Sequence, residues 1–139
     1  MSTAIPEAIK TWIANESSGS SFREAVGDRY YHLSAPDNSA FPVAVYAVSQ
    51  AAEPANHFGT FATEIWRVTF AIWVDPNTGD DADALAIDAK LFLRFNLKTF
   101  AATGYDRLVC RCVRRGACSI DEDGYRVDSE YELRGARTS

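Results

Sequence analysis

Hydrophobic and polar positions alternate most cleanly over Glu64–Val74. At a period of two, Trp66, Val68, Phe70, Ile72 and Val74 fall on one side, and Ile65, Arg67, Thr69, Ala71 and Trp73 on the other. An unbroken apolar stripe opposite a mixed one predicts a strand with one face on a core and one partly open. Asp75-Pro-Asn-Thr-Gly79 ends it with turn chemistry. Two other stretches carry the helical period. Ile5, Ile9, Trp12 and Ile13 share one face of an amphipathic helix over about residues 5–14, with Pro6 in its first turn. Leu85, Ala86, Ala89, Phe92 and Leu93 predict a second helix over about 80–97, capped by Thr78 or Asp80, with acids in the first turn. Between them, Ser21-Phe-Arg-Glu24 has capping-box spacing, and Gly27 can close a short helix.

The remaining segments read as strands and loops. Asp28–Leu33 is a short strand, and Val43–Val48 is another, started behind Pro42. Gln50–Thr63 is longer than a tight hairpin and holds two aromatics, Phe58 and Phe61, which either fold back or meet a partner. Arg107–Cys118 and Tyr125–Leu133 flank Asp121-Glu-Asp-Gly124, a hairpin signal. Across an even turn, Leu108, Cys110, Cys112, Cys118 and Ile120 share the core face with Tyr125, Val127, Tyr131 and Leu133. Val109, Arg111, Val113 and Arg115 then share the outer face with Arg126, Asp128, Glu130 and Glu132. Arg114 is the misfit, pointing inward unless a bulge or stacking on Tyr131 accommodates it. The fold class expected is α+β: an antiparallel-rich sheet of about four strands with two helices packed on one face.

Composition narrows the function. The 139 residues favour one domain, and 47% hydrophobic with 24% charged residues describes a folded chain rather than a disordered one. A formal net charge of −5 argues against non-specific nucleic-acid binding. No apolar run reaches the ~20 residues of a membrane helix. No basic segment followed by a long apolar one opens the chain, so an intracellular product is expected. Cys110, Cys112 and Cys118 have no Cys-x-x-Cys spacing and read as three small buried hydrophobes with free thiols. With His32 or His57 they match no zinc pattern, so no metal and no cofactor is expected. Asp80, Asp81 and Asp83 read as helix-start acids rather than a cation site. Asp121-x-Asp123-Gly124 lacks the glycine position of a calcium loop, and Pro76–Gly79 lacks the Lys of a phosphate loop. Arg111, Arg114 and Arg115 facing an acidic strand read as a cross-strand ion-pair face. No catalytic motif is present; a small enzyme using Cys110 or Cys112 with a histidine is the alternative from another class.

Three segments in order carry a resemblance. Gly27-Asp-Arg-Tyr-Tyr-His-Leu-Ser-Ala-Pro36 leads to Phe41-Pro-Val-Ala-Val-Tyr46. Val68-Thr-Phe-Ala-Ile-Trp-Val-Asp75 is followed by a helix with Ala82, Ala84, Ala86 and Ala89. In element order nearly the whole chain resembles the tail terminator (tail completion) proteins of long-tailed bacteriophages and related tail-like particles. The resemblance implies structural work without catalysis. It implies a homo-oligomeric ring, commonly a hexamer, that caps the tail tube protein, ends tube polymerisation and receives the head–tail connector. The place implied is the neck end of the virion tail, after synthesis in the host cytoplasm, with genomic DNA only passing through the lumen and no membrane involved. Candidate contacts under this resemblance are Phe58 and Phe61 on the tube, and Arg111 and Arg115 against Glu130 and Glu132 between subunits. Another neck or head-completion protein, or a monomeric ligand-binding module, would share these features.

Overall fold

The computed structural model describes residues 3–16, 21–52, 63–77, 79–122 and 124–138. Chain order is α1 (Ala4–Ala14), α2 (Phe22–Ala25), β1 (Tyr30–His32), β2 (Val43–Ala52), β3 (Thr63–Val74), α3 (Asp81–Phe95), β4 (Lys98–Phe100), β5 (Leu108–Asp121) and β6 (Gly124–Ala136). The strands form one sheet in the order β1-β2-β3-β6-β5-β4. Every neighbouring pair is antiparallel except β1 with β2.

Local chemistry accounts for the long elements. β3 alternates as its sequence predicts: Trp66, Val68, Phe70, Ile72 and Val74 are buried, whereas Thr69 is exposed and Arg67 half-buried. Asp80 and Asp83 form a reciprocal capping box that starts α3. Ser21 Oγ accepts from the Glu24 N–H at the start of α2. α1 buries Ile5, Ala8, Ile9 and Ile13, and α3 buries Ala84, Ile87, Leu91 and Phe95. The two helices are tied by Trp12 Nε1 donating to the Arg94 carbonyl at 2.9 Å, with the Arg94 guanidinium 3.6 Å from the Trp12 ring centroid. Phe70 sits at the centre of the inner face, with ring centroids of Tyr46, Phe95 and Tyr131 at 5.8, 5.2 and 5.8 Å.

Six strands and three helices stand where about four and two were expected. The extra strand directly follows the stretch read as the end of α3. That helix stops at Phe95, Leu97 turns the chain at φ 60°, and Lys98–Phe100 pairs with β5. A three-residue strand such as β4 has no period of its own to detect and forms where β5 offers an unpaired edge, whereas β1 falls within the short strand expected over Asp28–Leu33.

The hairpin departs from simple alternation. Register slips by one residue between Cys112 and Arg114, and again between Arg115 and Cys118. These bulges explain the misfit arginine: Arg114 pairs with Glu130 on the outer face. They also overturn the placement of Arg115, which pairs with Ser129 and reaches the helix side. Gly116 makes the second bulge possible, because a Cβ there would lie 1.7 Å from the Asp128 carbonyl oxygen. Gly124, at φ 128°, opens β6 where a Cβ would lie 2.3 Å from the Val74 carbonyl oxygen. Ile120, expected on the core face, is 64% exposed, because the hairpin end runs past its cover.

Candidate functional site

The helices cover one face of the sheet and leave the other to solvent. On that open face, register aligns Ser49 of β2, Arg67 of β3, Glu132 of β6 and Arg111 of β5 in one row. Glu132 is sunk among arginines. Arg111 Nε lies 3.0 Å, Arg134 Nε 2.8 Å and Arg67 Nη2 3.7 Å from its carboxylate. Hydrogen bonds from Arg111 and then Arg134 hold its pKa below the ordinary carboxylate value. The carboxylate is 5% exposed, and the Arg111 and Arg134 side chains stand 55% and 53% exposed above it. A buried anion therefore holds largely exposed guanidinia in place. One row on, Glu130 accepts from Arg67 at 3.1 Å. Towards the hairpin, Arg126 pairs with Asp128 at 2.9 Å, and its guanidinium is 4.9 Å from the Trp73 ring centroid.

This face carries Arg67, Arg111, Arg114, Arg126 and Arg134 against Asp128, Glu130 and Glu132. Five cations against three anions make it net positive on a chain of net charge −5. At its β2–β3 side is a hollow of about 460 Å³ lined by Leu33, Val45, Trp73, Arg114, Arg126 and Asp128. A second hollow, of about 540 Å³, shares Leu33, Val45 and Trp73 and extends to Phe41. Leu33 is 67% exposed and held at φ 73°, a strained region for a branched side chain, while its N–H donates to the Tyr46 carbonyl at 2.8 Å.

Of the predicted contact residues, the structure brings Arg111, Glu130 and Glu132 together on this face. It removes Arg115, whose guanidinium binds Asp88 of α3 at 3.1 Å and lies 4.7 Å from the Phe92 ring centroid. Asp88 is itself 1% exposed while the Arg115 side chain remains 43% exposed, so a partly exposed arginine ties β5 to a buried carboxylate on α3. Phe58 and Phe61 lie outside the described residues. Arg67 and Arg134 belong to the cluster and were missed. The signal for Arg134 was present, since the alternation of β6 continues one step past Leu133. Glu64, on the core side of β3, accepts from the Tyr105 hydroxyl at 2.7 Å and from Arg137, which closes that end of the sheet.

The thiols offer little to a nucleophilic mechanism. Cys110 is fully buried, and burial first, then Cys112, pushes its pKa up to about 12. Burial also raises Cys112 and Cys118. His32 stacks on Tyr46 with ring centroids 5.3 Å apart, and His57 lies outside the described residues. Among the described residues no cluster of three or more His, Cys, Asp or Glu side chains has metal-binding geometry.

Among the described residues, two strand edges are open as well. β1 covers β2 only at Ala44–Tyr46, and β4 covers β5 only at Leu108–Cys110. On β5 the next N–H, that of Cys112, is capped by the Asn96 side chain at 2.8 Å. The two bulges then break the rest of that edge, whereas β2 runs on uncharged through Ala47–Ala52.

No family model matches the chain, and no curated protein matches it. Solved structures do. A chain in the virion of a native gene transfer agent particle aligns with TM-score 0.74 at 15% identity, covering 96% of this chain and 95% of that one. A second solved chain aligns with TM-score 0.59 at 12% identity, covering 96% and 91%. At such identities the likeness is one of fold, along almost the full length of both partners.

Proposed function

We propose that this chain is a structural, non-enzymatic component of a phage-like virion, and within that class a tail terminator. The observation that carries the reading is the near-complete fold likeness to a chain of a gene transfer agent virion. The element order over Gly27–Pro36, Phe41–Tyr46 and Val68–Ala89 supports the finer role. In this reading several copies, a hexamer by family resemblance, close into a ring at the neck end of the tail. The ring stops tube growth on one side and receives the connector on the other. DNA passes through without being gripped, consistent with the acidic balance of the chain.

The test uses two purified proteins. Tube protein elongating in solution should stop at short lengths when this chain is added in substoichiometric amount, as read by electron microscopy. Tube lengths unchanged by the intact chain would overturn the terminator role. Phe58→Ala with Phe61→Ala should weaken the block while leaving the circular dichroism spectrum intact; unchanged blocking would remove that loop from the tube contact.

A further inference from the structure

The open face and the opposite side of the same chain are complementary. The hollow at Leu33, Val45 and Trp73 joins apolar walls to polar ones, and its charged lining is two arginines, Arg114 and Arg126, against one carboxylate, Asp128. On the helix side of the sheet, at the end where the β5–β6 hairpin turns, two large apolar side chains stand in solvent: Leu85 at 41% and Ile120 at 64% exposed. Exposed carboxylates frame them, Asp81 one helical turn before Leu85 and Glu122 two residues beyond Ile120. The α3 start and the β5 end lie at the same end of the sheet, since Gly79, just before α3, packs on Val74, and register runs from Val74 through Tyr125 to Ile120. An acid-framed knob and a hollow of net positive lining thus occur on one molecule, on opposite faces of one sheet.

We propose that copies of this chain dock head to tail, the Leu85–Ile120 knob of one seated in the Leu33–Trp73 hollow of the next. Both patches bury apolar surface, and their rims carry opposite charge, which fixes orientation and excludes knob-to-knob or hollow-to-hollow pairing. Because the patches differ, the contact is heterologous: it propagates from copy to copy and ends only by closing on itself. It places the net-positive face at the junction between subunits. Arg114 suits this role, its side chain having no ion-pair or hydrogen-bond partner among the described residues, while the other arginines of the face are held by carboxylates. The inference rests on the reading of the chain as a ring subunit; the experiment below contains no tube, so the failure of either is distinguishable from that of the other.

The experiment is sedimentation of the purified chain at ~20 mM and ~500 mM salt, over a concentration series, since contacts between exposed charges weaken strongly over that range. The native chain should sediment as multimers at low salt and dissociate at high salt. Arg114→Glu with Arg126→Glu should remain monomeric at low salt, as should Asp81→Lys with Glu122→Lys. Each should need about tenfold or more higher concentration to associate. Mixed in equal amounts, the two variants should recover multimers, because each reversed patch then meets an opposite one; recovery also shows that both are folded. A native chain that stays monomeric throughout overturns the proposal. So do variants that associate as the native chain does, or a mixture that fails to recover. A native chain that binds a synthetic DNA duplex but not itself would give the face to a polyanion and overturn it equally.

Discussion

Glu132 shows how one side chain organises a surface. Its carboxylate is nearly buried on a face otherwise open to water, and three guanidinia converge on it. An anion this dehydrated is tolerated only because its hydrogen bonds are made by charged donors. Glu132→Gln keeps the shape and removes the charge, and should cost about 1–3 kcal/mol at neutral pH by chemical denaturation. The pH dependence has a definite sign. The folded-state pKa is depressed, so this contribution is fully present above the ordinary value of 4.5 and is lost as pH falls through the lower folded value. The gap between native and Glu132→Gln stabilities should therefore be constant from pH 7 to about pH 5 and shrink below that. A gap that widens on acidification would mean that the guanidinia do not hold this carboxylate.

At the scale of elements, the β5–β6 hairpin is shaped by its bulges more than by its turn. Two one-residue slips decide which arginines face outward: Arg111 and Arg114 do, while Arg115 turns under the sheet to Asp88. Gly116 is the residue that permits this. With 1.7 Å between an added Cβ and the Asp128 carbonyl oxygen, even alanine forces the two strands apart. Gly116→Ala should therefore destabilise by about 2 kcal/mol or more, where the same change on an unconstrained strand is neutral or favourable. Hydrogen exchange should show lost protection confined to the middle of β5 and β6. Protection unchanged in both strands would contradict the bulge.

At the scale of the whole molecule, Phe70 is the hub. It meets Phe22 of α2, Tyr46 of β2, Phe95 of α3 and Tyr131 of β6, with ring centroids 5.2 to 6.5 Å away. Aromatic clusters of this kind leave a large void when the central ring is removed, because the surrounding rings cannot collapse into it. Phe70→Ala should cost about 3–5 kcal/mol, measured by denaturant titration. A loss near 1 kcal/mol would show that the helices and sheet do not share one core. The same architecture separates function from stability. The helix-covered face holds the core, and the open face, with its pinned arginines and its hollow, is free to meet another molecule.

Much of this could be read along the chain, and the reason is range. The faces of β3, the amphipathic sides of α1 and α3, the Asp80–Asp83 capping box and the hairpin turn all follow from residues within four positions of one another. Local periodicity and local hydrogen bonding determine such features before any tertiary contact forms. What the tertiary structure alone decided is relational. β4 is a strand only because β5 lends it an edge. Arg114 faces outward and Arg115 inward, the reverse of simple alternation, because β6 imposes a bulged register on β5 that sequence alternation does not encode. Glu132 and Glu64 are buried because arginines from distant positions arrive to neutralise them: Arg67 and Arg111 across the sheet for one, Arg137 for the other. A carboxylate looks the same in sequence whether solvated or sunk; only the partners that folding brings to it make burial affordable.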